Sequence, residues 1–179
     1  MVSNYFQERT FMKKIALIGM MGSGKTTLAK LISKKLNLNY YCTDEFIEEK
    51  QGKSIGQIFD IDGEKFFRHL EAEAIKEIIH LGDMVLSTGG GIVLNSENIK
   101  NLKDNGFVVV LLNRDVEKIV KTIGDTNRPL LKDDINKIEK IYKEREFLYK
   151  QCSDIIINNN DNIGETLDKL VNLFMDTGE

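Results

Sequence analysis

The chain predicts an α/β fold in which a parallel β-sheet is covered by helices on both faces. Three observations carry this. Short apolar runs of strand character alternate with segments of helical period along all 179 residues. The runs are apolar throughout their centres, as parallel strands shielded on both sides must be. Glycine-rich and polar segments fall at the carboxyl ends of those runs, where open α/β sheets bind ligands.

Taken in order, the first run covers residues 15–18 and leads into Gly19-Met-Met-Gly22-Ser23-Gly24-Lys25-Thr26-Thr27. This fits the phosphate-binding loop pattern of Gly, four residues, then Gly-Lys-Ser/Thr. A helical segment over 26–36 follows. Strand, glycine loop and helix start make backbone N–H groups converge on a phosphate with the helix dipole behind them. Lys25 then reaches the terminal phosphates and the Thr26 hydroxyl ligates Mg²⁺. Gly22, Ser23, Gly24 and Thr27 complete the loop that holds the nucleotide.

The second strand covers 39–42 and runs straight into Thr43-Asp44 and a helix over 44–52. Asp44 at that strand end can orient or deprotonate an attacking hydroxyl, or it can serve with Glu45 to complement the helix dipole while Thr43 caps. The next helix, 64–81, opens with Gly63-Glu-Lys-Phe-Phe-Arg68-His-Leu-Glu71. Arg68 and Glu71 share a face, so they can pair with each other, or the arginine fork can grip a carboxylate in a cleft.

A third strand over 84–86 ends in Thr88-Gly89-Gly90-Gly91. A simple turn does not require three consecutive glycines, so close approach of backbone to an anionic or hydroxylated ligand is expected there. A helix over 96–105, a fourth strand over 107–112 and a helix over 115–122 follow. The break from Gly124 to Asp134 holds Arg128 and the chain's one proline, Pro129, and reads as a mobile loop over 124–134. An arginine on a closing loop can neutralise charge on a transferred phosphoryl group. A helix over 134–150 carries Arg145 and Tyr149, and a strand over 154–157 and a helix over 163–175 end the chain.

Composition narrows the classes. With 41% hydrophobic and 30% charged residues the chain is a folded protein sized for one domain, taken as 12–179 behind a short flexible tail, 1–11. A net charge of −3 gives no reason to expect nucleic acid or a membrane surface as partner. No apolar run approaches the roughly 18 residues of a membrane span. Cys42 and Cys152 lie far apart without metal-ligand spacing and read as reduced thiols of a cytoplasmic protein.

In order, the glycine loop, Thr43-Asp44, Phe67-Arg68-x-x-Glu71, Leu86-Ser87-x-Gly89-Gly90-Gly91, Arg128-Pro-Leu-Leu131 and Arg145-x-x-x-Tyr149 resemble the shikimate kinase family, from Lys13 to about Leu173. The resemblance implies a three-layer P-loop fold with a five-stranded parallel sheet, a shikimate-binding region over about 43–72 and an ATP lid. It implies ATP:shikimate 3-phosphotransfer in chorismate and aromatic amino-acid synthesis, with Mg²⁺, by a monomer. On its terms Asp44, Arg68, Gly89, Gly90, Gly91 and Arg145 hold shikimate, with the carboxylate between the two arginines. Lys25, Asp44 and Arg128 are catalytic, and Arg128 is the lid arginine. Lys121 replaces an arginine that stacks near adenine. Cys42 departs from the pattern: the family reads Asp-Thr-Asp where this chain has Cys42-Thr43-Asp44, and the missing aspartate is ascribed to Mg²⁺ coordination through water.

Two rivals remain. A gluconate or other small-metabolite kinase has the same architecture. A regulatory GTPase draws support from Asp60-Ile-Asp-Gly63, but the residues before it, Ser54-Ile-Gly-Gln-Ile-Phe59, have helical and not strand spacing, and a guanine-reading Asn-Lys-x-Asp is absent.

Overall fold

A computed structural model of the protein describes residues 14–124 and 135–175. The expected tail, and the expected lid from residue 125 onward with Arg128, lie outside them. The chain runs β1 (Lys14–Ile18), α1 (Lys25–Leu36), β2 (Asn39–Cys42), α2 (Thr43–Gln51), α3 (Ile55–Ile61), α4 (Gly63–Ile78), β3 (Met84–Ser87) and a 3₁₀ turn (Ile92–Leu94). It continues through α5 (Ser96–Asp104), β4 (Val108–Asn113), α6 (Val116–Gly124), α7 (Ile135–Cys152), β5 (Ile155–Asn158) and α8 (Ile163–Met175).

Among the described residues the five strands form one parallel sheet in the order β2-β3-β1-β4-β5. Alternate residues feed two cores. Ala16, Ile18, Met84, Leu86, Val109 and Leu111 pack under α4, α5 and α7, while Ile15, Leu17, Val85, Val110 and Leu112 pack under α1 and α8. Burial of both faces explains why the three central strands read as unbroken apolar runs.

This topology sets the site. The connection leaving β1 goes to the α1 face, whereas those leaving its neighbours β3 and β4 go to the opposite face. Adjacent connections that part in this way open a crevice at the strands' carboxyl ends, and the glycine loop stands in it.

Local chemistry fixes the element ends. Asn37, at φ 54°, closes α1, and Lys34 and Lys35 complement the dipole there. α3 is started by a capping box between Ser54 and Gln57. It occupies the segment before Asp60-Ile-Asp-Gly63, so that sequence joins two helices instead of following a strand, and the GTPase switch reading loses its structural context. Thr43 does not cap α2. Cys42 occupies that position, and the Thr43 hydroxyl instead accepts the Gly89 N–H at 2.9 Å, tying β2 to the triple-glycine loop.

Candidate active site

The phosphate loop is built around Gly19, Gly22 and Gly24, at φ 141°, 76° and 97°. Space as well as φ demands glycine at two of them. A Cβ on Gly19 would stand 2.7 Å from the Leu112 carbonyl, and one on Gly24 would stand 2.7 Å from Asn159 Nδ2. Asn159 donates to the Ser23 carbonyl at 2.8 Å and accepts from Thr166 Oγ1 at 2.9 Å, so β5 and α8 clamp the loop from outside. Ser23 is buried within the loop, and Gly24 forms the start of α1.

Lys25 curls back over the loop, donating to the Gly19 and Met20 carbonyls at 2.8 Å each. Burial pulls its ammonium down to about 8, against the opposing pull of Asp44 and then Cys42. It therefore stays charged at neutral pH. Thr26 Oγ1 lies 3.2 Å from Ser87 Oγ, and Ser87 is the register partner of Cys42. Thr26, Ser87 and Cys42 thus gather beneath the loop. Burial pushes the Cys42 thiol up, so it remains protonated.

A cavity of about 410 Å³ opens beside the loop. Gly22, Gly24, Lys25, Thr26 and Thr27 line one part, and Arg114, Thr122, Asn159, Asp161 and Ile163 line the rest. Lys121 is exposed on α6 beside Thr122 and does not line it.

Across the β1–β3 crevice the triple-glycine loop gathers the second half of the site. Thr88 seats it, its N–H and hydroxyl both donating to the Leu17 carbonyl at 3.2 and 2.9 Å. A Cβ on Gly89 would lie 2.7 Å from Glu71 Oε1 and 2.9 Å from Asp44 Oδ1. Those two oxygens are buried and have no hydrogen-bond partner among the described residues. A Cβ on Gly91 would sit 2.1 Å from Arg68 Nη1, inside the guanidinium's space. The Gly90 carbonyl accepts from Arg145 Nη1 at 3.1 Å and from the Tyr149 hydroxyl. Both arginines thus converge on one glycine loop from α4 and α7.

Electrostatics bind this half together. Glu71 is fully buried and accepts from Arg68 Nη1 at 2.9 Å, while Glu64 takes the rest of the fork at 3.0 Å. Burial raises the Glu71 carboxyl, with Arg68 opposing. Burial likewise raises Asp44, against the pull of Lys25, with Glu48 adding to the rise. Burial also pushes Tyr149 up to about 12, so its hydroxyl stays a donor.

Of the residues named from sequence, the structure assembles Gly22, Ser23, Gly24, Lys25, Thr26 and Thr27 in one half and Asp44, Arg68, Gly89, Gly90, Gly91 and Arg145 in the other. It adds Glu71, Ser87, Arg114, Asn159 and Tyr149. Glu71 was read only as a helix partner of Arg68, Ser87 and Tyr149 stood inside quoted motifs without a role, and Arg114 and Asn159 had no motif at all. No helix among the described residues is long and apolar enough to cross a membrane.

A sequence model of shikimate kinase matches residues 21–174. A shikimate kinase of Clostridium botulinum (strain Alaska E43 / Type E3) is 44% identical over 161 residues, covering 88% of this chain and 96% of the relative. A shikimate kinase from Acinetobacter baumannii, solved in complex with shikimate, superposes with a TM-score of 0.84 at 32% identity, covering 93% of this chain and 94% of that one. A gluconokinase from Sinorhizobium meliloti shares the fold alone, with 12% identity and a TM-score of 0.57 over 94% of this chain and 99% of that one. The chain belongs to the shikimate kinase family, a family of ATP-dependent small-molecule kinases.

Proposed function

We propose that the chain transfers the γ-phosphoryl group of ATP to the 3-hydroxyl of shikimate, with the roles divided between the two halves of the site. The observation that carries this reading is the convergence of Arg68 and Arg145 on the triple-glycine loop beside the bare oxygens of Asp44 and Glu71. A compact acid with several hydroxyls matches that set: the guanidinium forks take its carboxylate and the free oxygens take its O–H groups.

The nucleotide lies in the cavity beside the glycine loop, with its phosphates on the backbone amides at the start of α1. Phosphate oxygens take the Lys25 ammonium from the Gly19 and Met20 carbonyls. Asp44 orients the substrate hydroxyl and accepts its proton as the new O–P bond forms and the bond to the β-phosphate oxygen breaks, releasing ADP. Its raised affinity for protons suits that role. The transition state is loose, so positioning and charge stabilisation by Lys25 and by Arg128 of the lid provide most of the rate.

The donors at the loop fit Mg²⁺. The Thr26 hydroxyl, with Ser87 beside it at 3.2 Å, would hold the ion together with ATP oxygens and water. When bound, Mg²⁺ offsets phosphate charge. Cys42, a protonated thiol, is no ligand for a hard cation. Cys42→Asp is expected to lower the half-saturating Mg²⁺ concentration, measured by titration at saturating ATP and shikimate. Superimposable curves for the two proteins would show that the thiol is merely a small strand-end residue.

Carboxylate recognition is tested by calorimetry with shikimate and its methyl ester. The acid should bind and the ester should bind at least about tenfold more weakly, the scale of a lost charge-assisted contact. Equal binding would remove the arginines from substrate recognition.

A further inference from the structure

Among the described residues, the segment joining β4 to α6 carries a cation with no anion paired to it. Arg114 follows the last residue of β4 and lines the cavity beside the glycine loop. Its Nη1 donates to the Gly22 carbonyl at 3.2 Å, and its Nε is buried with no hydrogen-bond partner. Among the described residues no carboxylate pairs with it. Two acids that line cavities with Arg114 are paired elsewhere, Asp161 with Lys118 at 3.1 Å and Glu146 with Lys150 at 2.6 Å.

Half-burying a guanidinium against one neutral carbonyl is costly unless an anion completes its shell. The segment is also held in place. The Asp115 N–H donates to Asn160 Oδ1 at 2.8 Å, and Lys118 donates to the Asn160 carbonyl at 2.6 Å, fastening it to the loop after β5. A fixed arginine on the wall of a phosphate-loop cavity is an organised anion receptor.

We infer that Arg114 is a nucleotide-binding residue whose guanidinium takes a phosphate oxygen of ATP and of ADP. This rests on the reading of that cavity as the nucleotide site. It also places the cationic contribution of this segment on Arg114, inside the cavity, and not on exposed Lys121.

The test is calorimetry of ADP, adenosine and shikimate with the full chain and with Arg114→Met, which keeps an unbranched stem and removes the fork. ADP should bind about tenfold or more weakly to the variant, with adenosine and shikimate unchanged and Arg114→Lys recovering part of the loss. Because a slackened Gly22 contact could also weaken phosphate binding, the Arg114 Nε–H resonance of the ¹⁵N-labelled protein is followed as well. It should shift on adding ADP and not on adding adenosine, a readout that survives even if the variant fails to fold. ADP affinity within twofold of the unaltered chain, an equal loss for adenosine, or a resonance that ignores ADP would each overturn the inference. Failure of the unaltered chain to bind ADP would instead overturn the cavity assignment beneath it.

Discussion

Lys25→Ala is expected to lower kcat by about three orders of magnitude while the fold persists. The ammonium is useful mainly as the phosphoryl group moves, when charge develops on its oxygens. It does little for stability. The Lys25 pKa in the fold, about 8, lies below its ordinary 10.5, so the unfolded chain binds the extra proton more readily. The contribution is therefore present above pH 10.5 and lost as pH falls through 8, and at neutral pH the ammonium counts against the fold. Thermal melting of the variant near pH 7 should therefore be no lower than that of the unaltered chain. Near-normal turnover by the folded variant would overturn the phosphate assignment.

Arg68→Leu is expected to act on both binding and stability. It removes a fork from the substrate and leaves Glu71, fully buried, without its ion-pair partner. Breaking a buried pair from one side costs about 3 kcal/mol near neutral pH. The pH dependence has a definite sign. Glu71 already holds its proton more tightly in the fold than its ordinary 4.5, and loss of Arg68 strengthens that. The destabilisation is therefore smallest below about pH 4.5 and grows as pH rises through the folded value. Adding Glu71→Gln should restore much of the stability without restoring shikimate binding. Denaturant unfolding across pH and shikimate calorimetry separate the two effects. If the double variant regains shikimate affinity, Arg68 serves only to neutralise Glu71. Arg145→Leu offers a contrast, because Tyr149 still donates to the Gly90 carbonyl and the loop keeps an anchor. Shikimate affinity should fall there with little loss of stability.

The sheet was legible because its three central strands are apolar for a physical reason, burial on both faces, and because the strands are followed by polar or glycine-rich segments. Asp44, Arg68 and the glycines were legible for the same reason: unusual residues at strand ends or helix starts mark a crevice. α3 was legible only as helical spacing, its capping box lying in a short polar stretch. Other parts depend on distance in the chain. Thr43 reads locally as a helix cap, yet its hydroxyl serves Gly89, 46 residues away, because β2 and β3 are neighbours. Arg114 meets Gly22 across 92 residues and Asn159 meets Ser23 across 136, through strand order that no local pattern encodes. Glu71 shows a different limit. The i,i+3 pair with Arg68 is evident in sequence, but complete burial, which makes it a structural keystone for Arg68, is not.

On this reading one half of the crevice holds ATP and the other selects shikimate. This is tested most directly by ADP release with Mg²⁺–ATP and, in turn, shikimate, gluconate and nucleoside monophosphates, with ³¹P NMR of the products. Turnover is expected with shikimate, with a kcat/KM at least about a hundredfold above any other acceptor and a single phosphate ester at the 3-hydroxyl. Equal or faster turnover of gluconate or a nucleoside monophosphate, or phosphorylation of another shikimate hydroxyl, would contradict this reading.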